Sequence, residues 1–182
     1  MTAIEACQLI TNYTAGHETR TGNLGPDRLD YPVGHIEADN RLSWFLGRLD
    51  ERFGKEAFYV HLKRDPDATA RSFSRRYRRG IIKAYRTGIL WKLPREANSL
   101  DVCRDYVETV HRNIEYFLRD KPYQLTMDLE NISDGFDQFW RDIGAEGDFD
   151  RAKTILQQPH NQSVSVTQMI SRKIESVLRP KR

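Results

Sequence analysis

Six consecutive residues, Ala57-Phe58-Tyr59-Val60-His61-Leu62, bring aromatic and β-branched side chains together and read as a strand. The run empties directly into Lys63-Arg64-Asp65-Pro66, and Asp67 to Arg79 reads as a helix. Pro66 sits at or before the first turn, where its missing N–H costs nothing. A strand that passes straight into a helix constrains the fold more than any other feature here. Strands separated by helices pair in parallel through right-handed crossovers, which makes a layered α/β architecture.

The same signals recur along the chain. Met1–Asn12 is expected to be helical, and Tyr13–His17 to be a short buried strand ending in Gly16-His17-Glu18. Thr19–Asp39 is punctuated by Gly22, Gly25, Pro26, Pro32 and Gly34 and is expected to be a loop. Asp39 or Asn40 caps a helix carrying Leu42, Phe45, Leu46, Leu49 and Phe53, which Gly54 ends. Ser99 is the expected cap of an amphipathic helix over Leu100–Leu118. Pro122 opens a third strand, Tyr123–Leu129, and Ser133 caps a short helix with Phe136, Phe139 and Trp140. Asp148–Gln157 and Val164–Leu178 are expected helices, and Arg179–Arg182 a frayed tail. Residues 1–178 thus read as one domain of three layers, a mostly parallel sheet flanked by helices.

With 182 residues, 30% charged and 38% apolar, the chain suits one folded domain with a proper core. No apolar run is long enough to cross a bilayer, and Met1–Leu9 carries Glu5 with no Lys or Arg, unlike a secretory signal. Cys7 and Cys103 lack metal or redox spacing and are expected to be buried thiols, so a cytoplasmic location is expected. The net charge of +3 is too small to argue for a nucleic-acid partner by itself, but its distribution is uneven. Between Asp67 and Glu96 there is no acidic residue and there are nine cations, from Arg71 to Arg95. That stretch attracts anions in any fold, although a solvated helix face is the ordinary fate of such a run.

Arg64 lies just past the strand, at the carboxyl end where open parallel sheets place ligands, and Ser72 follows eight residues later on the helix. A guanidinium and a hydroxyl so placed converge on one phosphate, the first giving paired charge-assisted bonds and the second a rotatable donor. The plainer alternative pairs Arg64 with Asp65 or Asp67 and leaves Ser72 on the surface. Strand-Arg-Asp-Pro-x5-Ser-Phe resembles the 3′-phosphate-binding element of sulfotransferases that use 3′-phosphoadenosine 5′-phosphosulfate. The resemblance extends to Gly16-His17-Glu18, to His35-Ile36-Glu37-Ala38-Asp39-Asn40, to Asp128-Leu129-Glu130-Asn131 and to His160-Asn161.

The resemblance implies a P-loop-like nucleotide-binding fold and transfer of a sulfuryl group to a carbohydrate or small-molecule acceptor. It implies Arg64 and Ser72 as the 3′-phosphate site; Arg75 and Arg79, one turn apart further along the same helix, are expected to face the nucleotide or an anionic acceptor such as a glycan. Glu18 and His17 are the expected bases for the acceptor hydroxyl or amine, with His35 and Glu37 behind them. One departure is large. The family's Gly-rich loop, which grips the 5′-phosphosulfate, has no counterpart here. Met1–Cys7 resembles the helix that would follow it, so the first strand and loop are expected to be missing. A non-catalytic nucleotide-binding domain is the alternative, and a nucleic-acid module using Arg71–Arg95 the less favoured one. His61 reads as a core histidine, and no residue set has metal-site spacing.

Overall fold

A computed structural model describes residues 2–157; the expected helix Val164–Leu178, the tail Arg179–Arg182 and the motif His160-Asn161 lie outside the described residues. The chain runs α1 (Thr2–Cys7), β1 (Thr14–His17), β2 (His35–Ala38), α2 (Leu46–Phe53), β3 (Tyr59–Lys63) and α3 (Pro66–Ser74). It continues through α4 (Gly80–Ala84), α5 (Ser99–Leu118), β4 (Gln124–Asp128), α6 (Ile132–Asp142) and α7 (Phe149–Gln157). The fold is mixed α/β with short parallel strand pairs. Among the described residues, no helix is long and apolar enough to cross a membrane.

The expected single sheet of three strands is not what forms. β1 pairs with β2 and β3 with β4, both in parallel, and no ladder joins the two pairs among the described residues. The strand at His35–Ala38 was expected to be loop. Its four residues alternate, with Ile36 and Ala38 packing against the core while His35 and Glu37 form polar contacts, and so short an alternation is lost between Gly34 and Asp39.

Helix ends also differ from expectation. α1 stops at Cys7 rather than Asn12, because Thr11 and Asn12 bond instead to the loop at residues 144–146. Asn98, not Ser99, caps α5, its side chain accepting from Leu100 and Asp101. α3 ends at Ser74, so the expected helix through Arg79 is broken. Arg75, Arg76, Arg78 and Arg79 would crowd like charges at helical spacing, and the positive φ of Gly80 (57°) turns the chain into α4. Arg75 and Arg79 therefore do not share a helix face.

Among the described residues, two apolar clusters form. The first gathers Ile4, Ile10, Leu125, Met127, Phe136, Phe139 and Leu156, with Ala15, Ile36 and Ala38 of β1 and β2 packed against it. The second gathers Ala70, Ile82, Tyr85, Val102, Tyr106 and Val107 around α5. The β3–β4 pair separates them and carries a helix on each face. Tyr59, His61 and Lys63 meet Phe117, His111 and Glu115 of α5 on one face. Leu125 and Met127 meet α6 on the other, where Gly135 comes so close that a Cβ would lie 2.8 Å from Met127 Cγ. Val60 and Leu62 share that second face yet remain 40% and 41% exposed.

Candidate functional site

The carboxyl ends of β1 and β2 carry a polar network. β1 ends at His17, and the N–H of Glu18 continues the ladder to the Ala38 carbonyl at 3.1 Å. Glu18 takes a left-handed backbone, φ 52°, which turns the chain sharply back across the strand end. Thr19 then donates both its N–H (2.8 Å) and its hydroxyl (2.6 Å) to the Glu37 carboxylate. His35 Nε2 lies 3.0 Å from the same carboxylate and His35 Nδ1 2.8 Å from the Thr14 hydroxyl, while its ring stacks on Tyr31. Burial pushes the Glu37 carboxyl up, but the bonds from Thr19 and His35 outweigh it and hold the group below its ordinary range. Gly16 makes the packing possible: a Cβ there would lie 2.3 Å from Thr19 Cγ2 and 3.3 Å from Glu37.

A second chain of contacts fixes Arg41. Arg28, 3% exposed, pairs with Asp39 and donates to the Tyr31 hydroxyl at 3.1 Å. Asp39 uses its other oxygen to accept from the Arg41 N–H at 2.8 Å, starting the 3-10 turn Asn40–Trp44. The Arg41 guanidinium then pairs with Glu18. A buried ion pair in the loop thus holds the cap that holds the cation that holds the carboxylate.

At the end of β3, Asp65 caps α3 by accepting from the Ala68 N–H at 2.6 Å, and its own N–H reaches Glu130 beyond β4 at 3.2 Å. Asp65 also faces Arg71 at 3.8 Å, and Asp67 pairs with Arg104 at 2.9 Å. Both acidic neighbours of Arg64 are therefore committed elsewhere. Arg64 is exposed and Ser72 half-buried, and neither side chain has a partner among the described residues. Arg75 and Arg79 are exposed on consecutive turns, Arg79 immediately preceding α4.

Packing brings the two regions towards each other. Trp44, from the turn that follows β2, rests on Tyr85 at 6.3 Å, and Tyr85 on Tyr106 at 5.2 Å. Phe73 of α3 meets Tyr106 at 5.1 Å. Burial raises the Tyr106 phenol, and the nearby cations Arg41 and Arg76 partly offset this. Tyr106 on α5 is therefore common ground between the Glu18–Arg41 pair and the basic end of α3.

Of the four expected bases, Glu18 is held by Arg41, Glu37 is bonded to Thr19 and His35, and both ring nitrogens of His35 are occupied. His17 is exposed, with no side-chain partner among the described residues. Arg28, Arg41 and Tyr106 escaped the sequence reading. Asp39 as a cap pointed to Arg41, but its contact with Glu18 spans 23 residues and leaves no local pattern. His61 is 4% exposed in the core, as read. Among the described residues, no three His, Cys, Asp or Glu side chains gather as they would around a metal ion. The chain matches no protein-family model, no curated protein and no solved structure.

Proposed function

We propose that this chain is a P-loop-like, three-layer domain of the sulfotransferase type that binds a 3′-phosphoadenosine nucleotide through Arg64 and Ser72. One observation carries the reading: the two carboxylates nearest Arg64 in the sequence are engaged elsewhere, Asp65 on the α3 cap and Arg71, Asp67 on Arg104. An arginine left unpaired beside a helix with an unpartnered serine suits a phosphate monoester. In transfer from 3′-phosphoadenosine 5′-phosphosulfate, the acceptor oxygen attacks sulfur, the bridging S–O bond breaks, and adenosine 3′,5′-bisphosphate leaves. His17 takes the acceptor proton in this scheme, because Glu18 and His35 are already engaged.

The engagement of Glu18 by Arg41 and of both His35 ring nitrogens favours a second reading, a nucleotide-binding domain that does not transfer. Slow or absent transfer to glycans and phenols is therefore expected; robust turnover would overturn the second reading.

Calorimetry with adenosine 3′,5′-bisphosphate and AMP tests the site itself. Arg64→Ala should weaken the bisphosphate by on the order of 10- to 100-fold, and Ser72→Ala by less. AMP, lacking the 3′-phosphate, should be little affected by either. Equal losses for both nucleotides would point instead to nonspecific attraction by the basic run, and absence of binding by the folded protein would refute the site.

A further inference from the structure

Beyond the Arg64 region, the segment between α4 and α5 forms an open cleft of about 550 Å³. Its walls include Tyr77, Arg86, Leu90, Trp91, Lys92 and Arg95, and no acidic residue lines it. Arg86 and Thr87 reach the lining from a π turn, Tyr85–Ile89, a helix distortion that recurs at functional sites. Leu90 and Leu93 anchor the following loop in the second apolar cluster, while Trp91 between them is left 78% exposed. Lys92 takes a left-handed backbone, φ 63°, which a lysine adopts only when its surroundings hold it there.

Arg86 is fixed in the wall: its Nε donates to the Tyr77 carbonyl at 3.2 Å and its guanidinium lies over the Tyr77 ring at 4.8 Å. Its other N–H donors, the Lys92 ammonium and the Arg95 guanidinium have no partner among the described residues. Most exposed tryptophans and most surface cations carry no ligand. Here, however, one concavity combines a large exposed aromatic face with three cations and, among the described residues, no acidic side chain in its lining. Stacking on the ring supplies the apolar part of recognition, and the cations fix the anion.

We propose that this cleft binds small ligands in which a flat ring carries a sulfate or phosphate monoester, the ring against Trp91 and the anion among Arg86, Lys92 and Arg95. The proposal does not depend on the Arg64 site. It predicts that ring and charge are both needed.

Titration calorimetry of the full chain with phenyl sulfate and phenyl phosphate tests it, with phenol and inorganic sulfate as the two half-ligands. Both esters should bind at least ~10-fold more tightly than either half. Trp91→Ala should weaken both esters by roughly 5- to 10-fold, with Trp91→Phe restoring most of the loss, since one stacked ring contributes about that much. Arg95→Ala should weaken the esters by a factor of about 5 or more and leave phenol unchanged. Arg151→Ala, on α7 and outside both sites, should leave the esters unaffected. The cleft is read by Trp91→Ala on the esters and the nucleotide site by Arg64→Ala on the bisphosphate, so failure here and failure of that site are separately visible. Inorganic sulfate binding as tightly as phenyl sulfate, indifference to Trp91→Ala, or no ester binding would each overturn the proposal.

Discussion

His61 shows how one side chain couples this fold to its solution. It lies on the α5 side of β3, is 4% exposed, and its Nε2 has no hydrogen-bond partner among the described residues. Its ring meets His111 edge-on at 5.2 Å, and the Lys63–Glu115 pair lies alongside. Burial, then His111 and Lys63, push its pKa down to about 4, with Glu115 opposing them. At pH above about 6.5 the imidazole is neutral in both folded and unfolded chains. Between about 6.5 and 4 the unfolded chain takes up the proton and the folded chain does not, so stability falls as pH drops and this contribution levels off below about 4. Thermal melts from pH 7 to pH 4 should therefore show a loss on the order of 2 kcal/mol that a His61→Phe variant lacks. A variant with the same acid slope as the parent would assign the loss to other groups. The sequence marked His61 as core, but not its lack of a partner, because His111 lies 50 residues away and joins it only once α5 docks.

Among the elements, those with local cues were legible. β3 announced itself by composition, and the start of α3 by Pro66, a proline at the first turn. β2 was not legible, because a four-residue strand is defined by the partner it bonds to, and that partner is 21 residues upstream. The tie between the start of β1 and the loop joining α6 to α7 is equally nonlocal. Ile10 bridges Gly147, Thr11 N–H donates to the Glu146 carbonyl at 2.7 Å, and Asn12 exchanges bonds with Gly144 and Glu146. Gly147 carries φ 138°, and a Cβ there would lie 2.2 Å from the Leu9 carbonyl oxygen, so both conformation and space demand glycine. Gly144 also has a positive φ, 61°, but open space around it. Gly147→Ala should destabilise by about 3 kcal/mol or more, and Gly144→Ala by about 1 kcal/mol. Denaturant unfolding of the two variants checks the contrast; equal costs would mean the close approach at Gly147 relaxes freely.

On the scale of the whole molecule, two apolar clusters raise the question of whether they fold as one. The first holds β4, with Leu125 and Met127 against Phe136, and the second is built around α5, with Ile82 and Cys103 fully buried. Between them runs the β3–β4 ladder, which neither cluster can keep without the other. α5 covers one face through Tyr59 and His61, and α6 the opposite face through Met127. Lys121, 5% exposed, adds a fastening by pairing with Asp50 of α2 at 2.8 Å. Two parallel strands stripped of either helix layer would be marginal in water. Melting of one cluster should therefore carry the other with it, in a single cooperative transition. The tryptophans report on this separately: Trp140 packs on Phe136 and Phe149 in the first cluster, and Trp44 rests on Tyr85 in the second. With Trp91 and one of the other two replaced by Phe, fluorescence follows each cluster alone, and the two midpoints should coincide. Phe136→Ala should cost about 3–5 kcal/mol and Ile82→Ala about 2–5 kcal/mol. Each should lower both midpoints together; an Ile82→Ala shift seen by Trp44 but not by Trp140 would show that the clusters unfold independently.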